Sequence, residues 1–130
     1  MKTEVFDITK KFPFEDNTFD GTFCTCTLHL FPEKILRQIF SEISRVLKPK
    51  GRILFDFATD ISRILPNGKR YIKKSETQYK HEEVTKLLKK LLKNYQVQIV
   101  ESEVPEEEIK MQGFAYKFSC KFILLTADKK

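Results

Sequence analysis

Apolar residues recur along this chain in two periods, and the changes of period mark its elements. Leu36, Ile39, Phe40, Ile43, Val46 and Leu47 keep the 3.6-residue spacing of one helix face. Pro32 and Glu33 suit the first turn of that helix, and Pro49 with Gly51 ends it. A second stripe, Val84, Leu87, Leu88, Leu91 and Leu92, predicts a helix from about His81, with Glu82 and Glu83 in its first turn and lysines toward its end. Between the two stripes, Arg52 to Ala58 is a near-continuous apolar run, the pattern of a central parallel strand covered on both faces. Residues 2–7, 19–28, 95–104 and 114–126 read as further strands. Residues 59–79 read as irregular, with a turn at Pro66, Asn67 and Gly68, and Pro105 to Glu108 reads as a charged loop.

The chain is organised around residues 7–31. This stretch leaves one short apolar run, turns at Pro13 and again at Glu15, Asp16 and Asn17, and enters the run from Phe19. Phe12 and Phe14 flank the proline and have no polar task, so they are expected to plug the loop onto a core. Asp7 and Asp20 stand at opposite ends of the loop. The strand, helix, strand order of residues 19–58 implies a right-handed βαβ unit.

Composition narrows the class. A chain of 130 residues with 41% hydrophobic and 32% charged positions is one folded domain, here 1–130, and too apolar for disorder. No apolar run reaches the roughly 20 residues of a membrane-spanning helix, and no secretory leader is evident, so a cytoplasmic location is expected. Cys24, Cys26 and Cys120 suit reduced thiols. Their spacing with His29 and His81 is not that of a metal site, and none is expected. Residues 69–93 carry nine Lys or Arg against three Glu, an excess equal to the net charge of +6. Such a segment could meet an anionic partner such as RNA, or be a solvated helix face.

Two linked patterns give the chain a resemblance. Asp7, then Phe12, Pro13 and Phe14, then Asn17, Thr18, Phe19 and Asp20, then Leu28 and His29 form the first. Ile43, Arg45, Val46, Leu47, Lys48, Pro49, Gly51 and Arg52 form the second, with Lys50 where glycine is usual. Together they resemble the class I S-adenosylmethionine (SAM) dependent methyltransferases of the type 11 and ubiquinone-biosynthesis-like groups. The resemblance implies an α/β, Rossmann-like partial sheet. Residues 2–7, 19–28, 51–58, 96–103 and 114–126 would be equivalent to strands 3, 4, 5, 6 and 7, in the order 3-4-5-7-6 with the last strand antiparallel.

The same resemblance implies the candidate site. Asp7 would accept from the adenine amino group and the Ile8 N–H would meet the ring; Asp7 could instead cap local amides. Thr25, Cys26 and Thr27 would lie along the methionine part of SAM, mainly through their backbone; strand propensity alone also explains them. His29 is the candidate catalytic base or acceptor-orienting group, or else a structural residue.

The glycine-rich loop that precedes these patterns in the family is not in this sequence, whose glycines stand at 21, 51, 68 and 113. The strand at 19–28 is then expected to have an unpaired edge. That edge predicts a homo-oligomer, a hetero-complex with a chain carrying the other half, or residues 2–7 moving in beside it; Met1 could also be an internal start. Three functions follow: a SAM-dependent methyltransferase completed by another chain, a non-catalytic methyltransferase-like binding or scaffolding subunit, or a basic nucleic-acid-binding module.

Overall fold

A computed structural model describes residues 2–74 and 76–130. Its elements are β1 (Phe19–Cys24), a single turn of 3₁₀ helix (Leu28–Leu30), α1 (Glu33–Val46), β2 (Leu47–Ile64), α2 (His81–Leu91), β3 (Tyr95–Met111) and β4 (Phe114–Lys129). The four strands form one sheet in the order β1-β2-β4-β3. β1 pairs parallel with β2, while β4 runs antiparallel to both β2 and β3. This is the expected order of strands 4, 5, 7 and 6.

Several boundaries and one strand differ from the sequence reading: α1 ends at Val46 and β2 already begins at Leu47, and β4 runs on to Lys129. Residues 2–7 form no regular element and join no sheet, so the equivalent of strand 3 is not formed. β1 ends at Cys24 rather than at residue 28, because Cys26 takes φ 53 and turns the chain out of the ladder. β2 runs on to Ile64, and it is covered by helices on one face only. The stretch Pro105 to Glu108 is not a loop: β3 continues through it with a register shift between Val104 and Glu107. β3 is an edge strand, where a proline at a bulge removes no ladder bond that matters.

One apolar cluster organises the body. Leu36, Ile39, Phe40, Ile43 and Val46 of α1 and Val84 and Leu88 of α2 meet Ile53, Phe55 and Phe57 of β2 and Ile123 and Leu125 of β4. Strand side chains alternate, so both helices lie on the sheet face that carries these odd-numbered residues. The other face carries Phe23, Val100 and Leu124, exposed by 69%, 63% and 45%. Polar bonds fix the helices to the sheet. Lys129 Nζ donates to the carbonyls of Ser44 and Leu47 at the end of α1, at 2.7 and 2.9 Å. His81, at the start of α2, lies 2.7 Å from Thr59 Oγ1 through Nδ1 and 3.0 Å from Glu101 Oε1 through Nε2.

Candidate functional site

The loop that the sequence placed at the centre is tied to α1 by one arginine. Arg45 donates to the carbonyl oxygens of Phe14 at 2.8 Å and Phe12 at 3.1 Å, and to the carboxylates of Asp16 and Glu42. Glu42 in turn accepts from the Phe12 N–H at 2.6 Å. Phe12 is buried, and Phe6, Phe14 and Phe19 pack around it, with Phe6 and Phe12 centroids 5.2 Å apart. The two sequence patterns are therefore one structural unit.

That unit leaves an apolar cavity of about 210 Å³ beside the outer edge of β1. Phe6 and Ile8 line one wall; Thr22, Phe23 and Cys24 line another, with Ile39, Ile43 and Phe55 at the floor. Ile8 and the end of β1 are thus brought to one hollow. Thr22 Oγ1 is buried there, and among the described residues it has no hydrogen-bond partner.

Asp7 lies at the surface at the mouth of the loop. Its Oδ1 accepts from the Thr9 N–H at 2.9 Å and the Thr9 hydroxyl at 2.6 Å. The Thr9 hydroxyl and amide hold its carboxyl below the usual aspartate range, so it is ionised at neutral pH. The local cap foreseen as an alternative is present, and it uses one oxygen; among the described residues Oδ2 has no partner.

Thr25, Cys26 and Thr27 follow β1 at its carboxyl end, where open α/β sheets bind ligands. Cys26 has a left-handed backbone, φ 53, and its N–H donates to Asp56 Oδ1 on β2 at 2.7 Å. The Thr27 hydroxyl donates to the Thr25 carbonyl at 2.7 Å. Leu28 then anchors the turn in the core, and His29 sets its ring edge-on to Phe57, 6.2 Å between centroids. Burial lowers the His29 pKa, with Glu76 and Asp56 opposing and Arg63 assisting, so its imidazole is neutral at pH 7. Glu76 is held by Arg63 in a two-pronged pair at 3.0 and 3.1 Å. Tyr79 closes this side, donating its hydroxyl to the Phe31 carbonyl at 2.7 Å.

Asp56, Glu76 and Arg63 were not foreseen. A signal for Asp56 did exist: it is a lone carboxylate inside an otherwise apolar run, Ile53 to Ala58. Glu76 and Arg63 come from the stretch read as irregular, and no local pattern marks them. Lys86, Lys89 and Lys90 of α2 are exposed, as is Lys93 just beyond its end. No helix among the described residues is long and apolar enough to cross a membrane.

Residues 1–55 match a family described as "Methyltransferase domain". No curated protein sequence matches the chain. Solved structures share its fold. A SAM-dependent methyltransferase from Methanosarcina mazei is 15% identical, with 97% of this chain and 66% of that one covered and a TM-score of 0.55. The PH0226 protein of Pyrococcus horikoshii is 23% identical over 98% of this chain and 58% of that one, with a TM-score of 0.59. The [4+2]-cyclase SpnF is 16% identical over 97% and 54%, with a TM-score of 0.53.

Proposed function

We propose that this chain, which has the fold of the class I methyltransferases and carries their domain signature in residues 1–55, contributes one side of a SAM-dependent methyl-transfer site. The observation that carries this reading is that the signature loop, through Ile8, Phe12 and Phe14, and the end of β1, through Thr22 and Cys24, line one hollow, while Asp7, Thr25 to Thr27 and His29 lie outside its lining. SAM would supply an electrophilic methyl group. Asp7 offers an ionised acceptor for the adenine amino group, Ile8 its N–H, and Thr25, Cys26 and Thr27 a polar backbone wall for the methionine end. His29, kept neutral by burial, is suited to orient an acceptor or take its proton. Methyl transfer asks mainly for alignment and exclusion of water, so this short list is enough chemistry for one half of a site.

The partner belongs to the proposal as well. The sheet treats its two edges unequally. The β3 edge carries Glu101, Glu103, Glu106, Glu107 and Glu108, a proline and a bulge, the usual guards against strand addition. The β1 edge carries one exposed charge, Asp20, and a register irregularity between Phe19 and Gly21, but from Gly21 to Cys24 it bears no charge and no proline, exposes Phe23 and borders the apolar hollow. A strand-forming polypeptide segment, from a second copy or a different partner, adds at β1 and completes the pocket.

The test is titration of the protein with S-adenosylhomocysteine, alone and after the assembly that covers β1 has been isolated. Binding in the assembly that is lost on Asp7→Ala supports the reading. An assembly that forms but never binds the nucleoside favours the second reading, a non-catalytic subunit.

A further inference from the structure

We propose that Asp56 is the positioning residue of the loop that follows β1, fixing the backbone of residues 25–27 and, through it, the ring of His29. The parallel register pairs Cys24 with Phe55, so the ladder would next place residue 25 beside Asp56. The chain instead leaves the sheet there. Cys26 adopts a left-handed conformation that its Cβ disfavours. Its side chain is exposed, so no packing compensates. What holds the turn is the carboxylate of Asp56, which accepts the Cys26 N–H at 2.7 Å from the neighbouring strand. A short bond from a backbone N–H to a side-chain oxygen anchored on a sheet strand is a rigid tether.

The consequences pass along the chain. With Cys26 held, the Thr27 hydroxyl closes on the Thr25 carbonyl, and Thr27 enters the turn that buries Leu28. His29 then sits against Phe57, which lies next to Asp56 on β2. One carboxylate therefore sets both the wall proposed to lie along the methionine end of SAM and the proposed acceptor-side imidazole. The inference rests on that reading of the site for its functional part, and on geometry alone for its structural part.

Two variants and two readouts test it. In Asp56→Ala, the Cys26 amide should lose its hydrogen-bonded shift and its exchange protection should fall about tenfold to a hundredfold. The His29 ring resonances should move with it, while amides of α2 stay in place. Asp56→Asn keeps an oxygen acceptor of the same shape and should restore most of both. In the cofactor-binding assembly, S-adenosylhomocysteine affinity should follow the same order: Asp56→Ala weakest, Asp56→Asn between. Unmoved Cys26 and His29 signals in Asp56→Ala would overturn the proposal. Moved signals with unchanged nucleoside affinity would overturn its functional part and leave the SAM reading itself standing. If Asp56→Ala does not fold, Asp56→Asn decides: an unchanged Cys26 amide together with weakened nucleoside binding would contradict the tether.

Discussion

Arg45 Nη2 donates to the carbonyl oxygen of Phe12 at 3.1 Å, across 33 residues of chain, and so joins the end of α1 to the loop that enters β1. The same guanidinium serves Phe14, Asp16 and Glu42, so its planar fork is used on several sides at once. Lysine, a single point of charge, cannot reproduce that geometry. Arg45→Lys should therefore lower Tm by several degrees, whereas Arg37→Lys, whose arginine meets only Glu33 on an exposed face, should leave it within error. Equal shifts in a calorimetric scan of the two variants would remove Arg45 from this role.

The packing beneath the loop is a separate contribution. Phe12→Ala empties a buried ring site next to Phe6 and should cost about 3–5 kcal/mol. Urea unfolding at constant m-value measures it. A loss below 1 kcal/mol would mean that the loop is not seated on the core as described.

The pH dependence follows from Glu42. Its hydrogen bonds from Arg45, and then from the Phe12 N–H, lower its pKa from 4.5 to about 2, against the opposing effect of burial. The folded state thus binds the proton less readily than the unfolded chain. The stabilisation is complete above about pH 4.5 and is lost as pH falls toward about 2. In Glu42→Gln, acid unfolding between these values should be flatter than in the parent. A parent and variant with the same slope there would contradict the assignment.

Near the start of β2, just after α1, two adjacent residues make opposite demands. Lys50 has φ 67, while Gly51 has no room for a side chain: a Cβ would lie 2.6 Å from Leu47 Cγ and 2.9 Å from the Lys48 carbonyl oxygen. Releasing the left-handed strain at Lys50 is worth about 1–2 kcal/mol, and the added freedom of a glycine in the unfolded chain takes back roughly 0.5–1 kcal/mol. Lys50→Gly should stabilise by about 0.5–1 kcal/mol, and Gly51→Ala should destabilise. Thermal melts of the two single variants give the signs directly; the reverse pair of signs would mean that the turn has another shape.

Asp7 and Asp20 separate cofactor binding from folding. Both are exposed: among the described residues the Asp7 carboxylate bonds only to Thr9 of its own turn, and Asp20 forms a surface pair with Lys48 at 3.2 Å. Neither alanine variant should change Tm appreciably. In the assembly that binds the nucleoside, Asp7→Ala should weaken affinity about tenfold to a hundredfold by removing a charge-assisted acceptor, while Asp20→Ala should not. Loss at Asp20 and not at Asp7 would displace the adenine end from this loop.

The open edge gives the last test. Phe23→Lys places a charge on the exposed face of β1, where it meets solvent in the free chain and would oppose the proposed partner strand in a complex. Association seen by sedimentation should disappear with little change in Tm. Association that persists would put the partner elsewhere on the molecule.

The sequence by itself determined the elements. The stripe from Leu36 to Val46 and the run from Ile53 to Phe57 can be buried together in only one period each, which fixed α1 and the middle of β2. The strand order was expected from the resemblance that the paired patterns at Asp7–His29 and Ile43–Arg52 carry, while the residues alone gave only the right-handed βαβ unit. Where the strands stop was not legible locally. Residues 2–7 have the alternation of a strand, but a strand needs a neighbour to accept its hydrogen bonds, and among the described residues none stands beside them. β3 passes through Pro105 because it is an edge, a fact about its position and not its composition. The site divides in the same way. Asp7, Ile8, Thr25 to Thr27 and His29 could be named from the patterns they sit in. The Asp56 tether depends on two parallel strands in one register, and the Arg63–Glu76 pair near His29 depends on how residues 59–79 fold back. Contacts between residues far apart in the chain are written in no local period; only the packed sheet brings them within hydrogen-bonding distance.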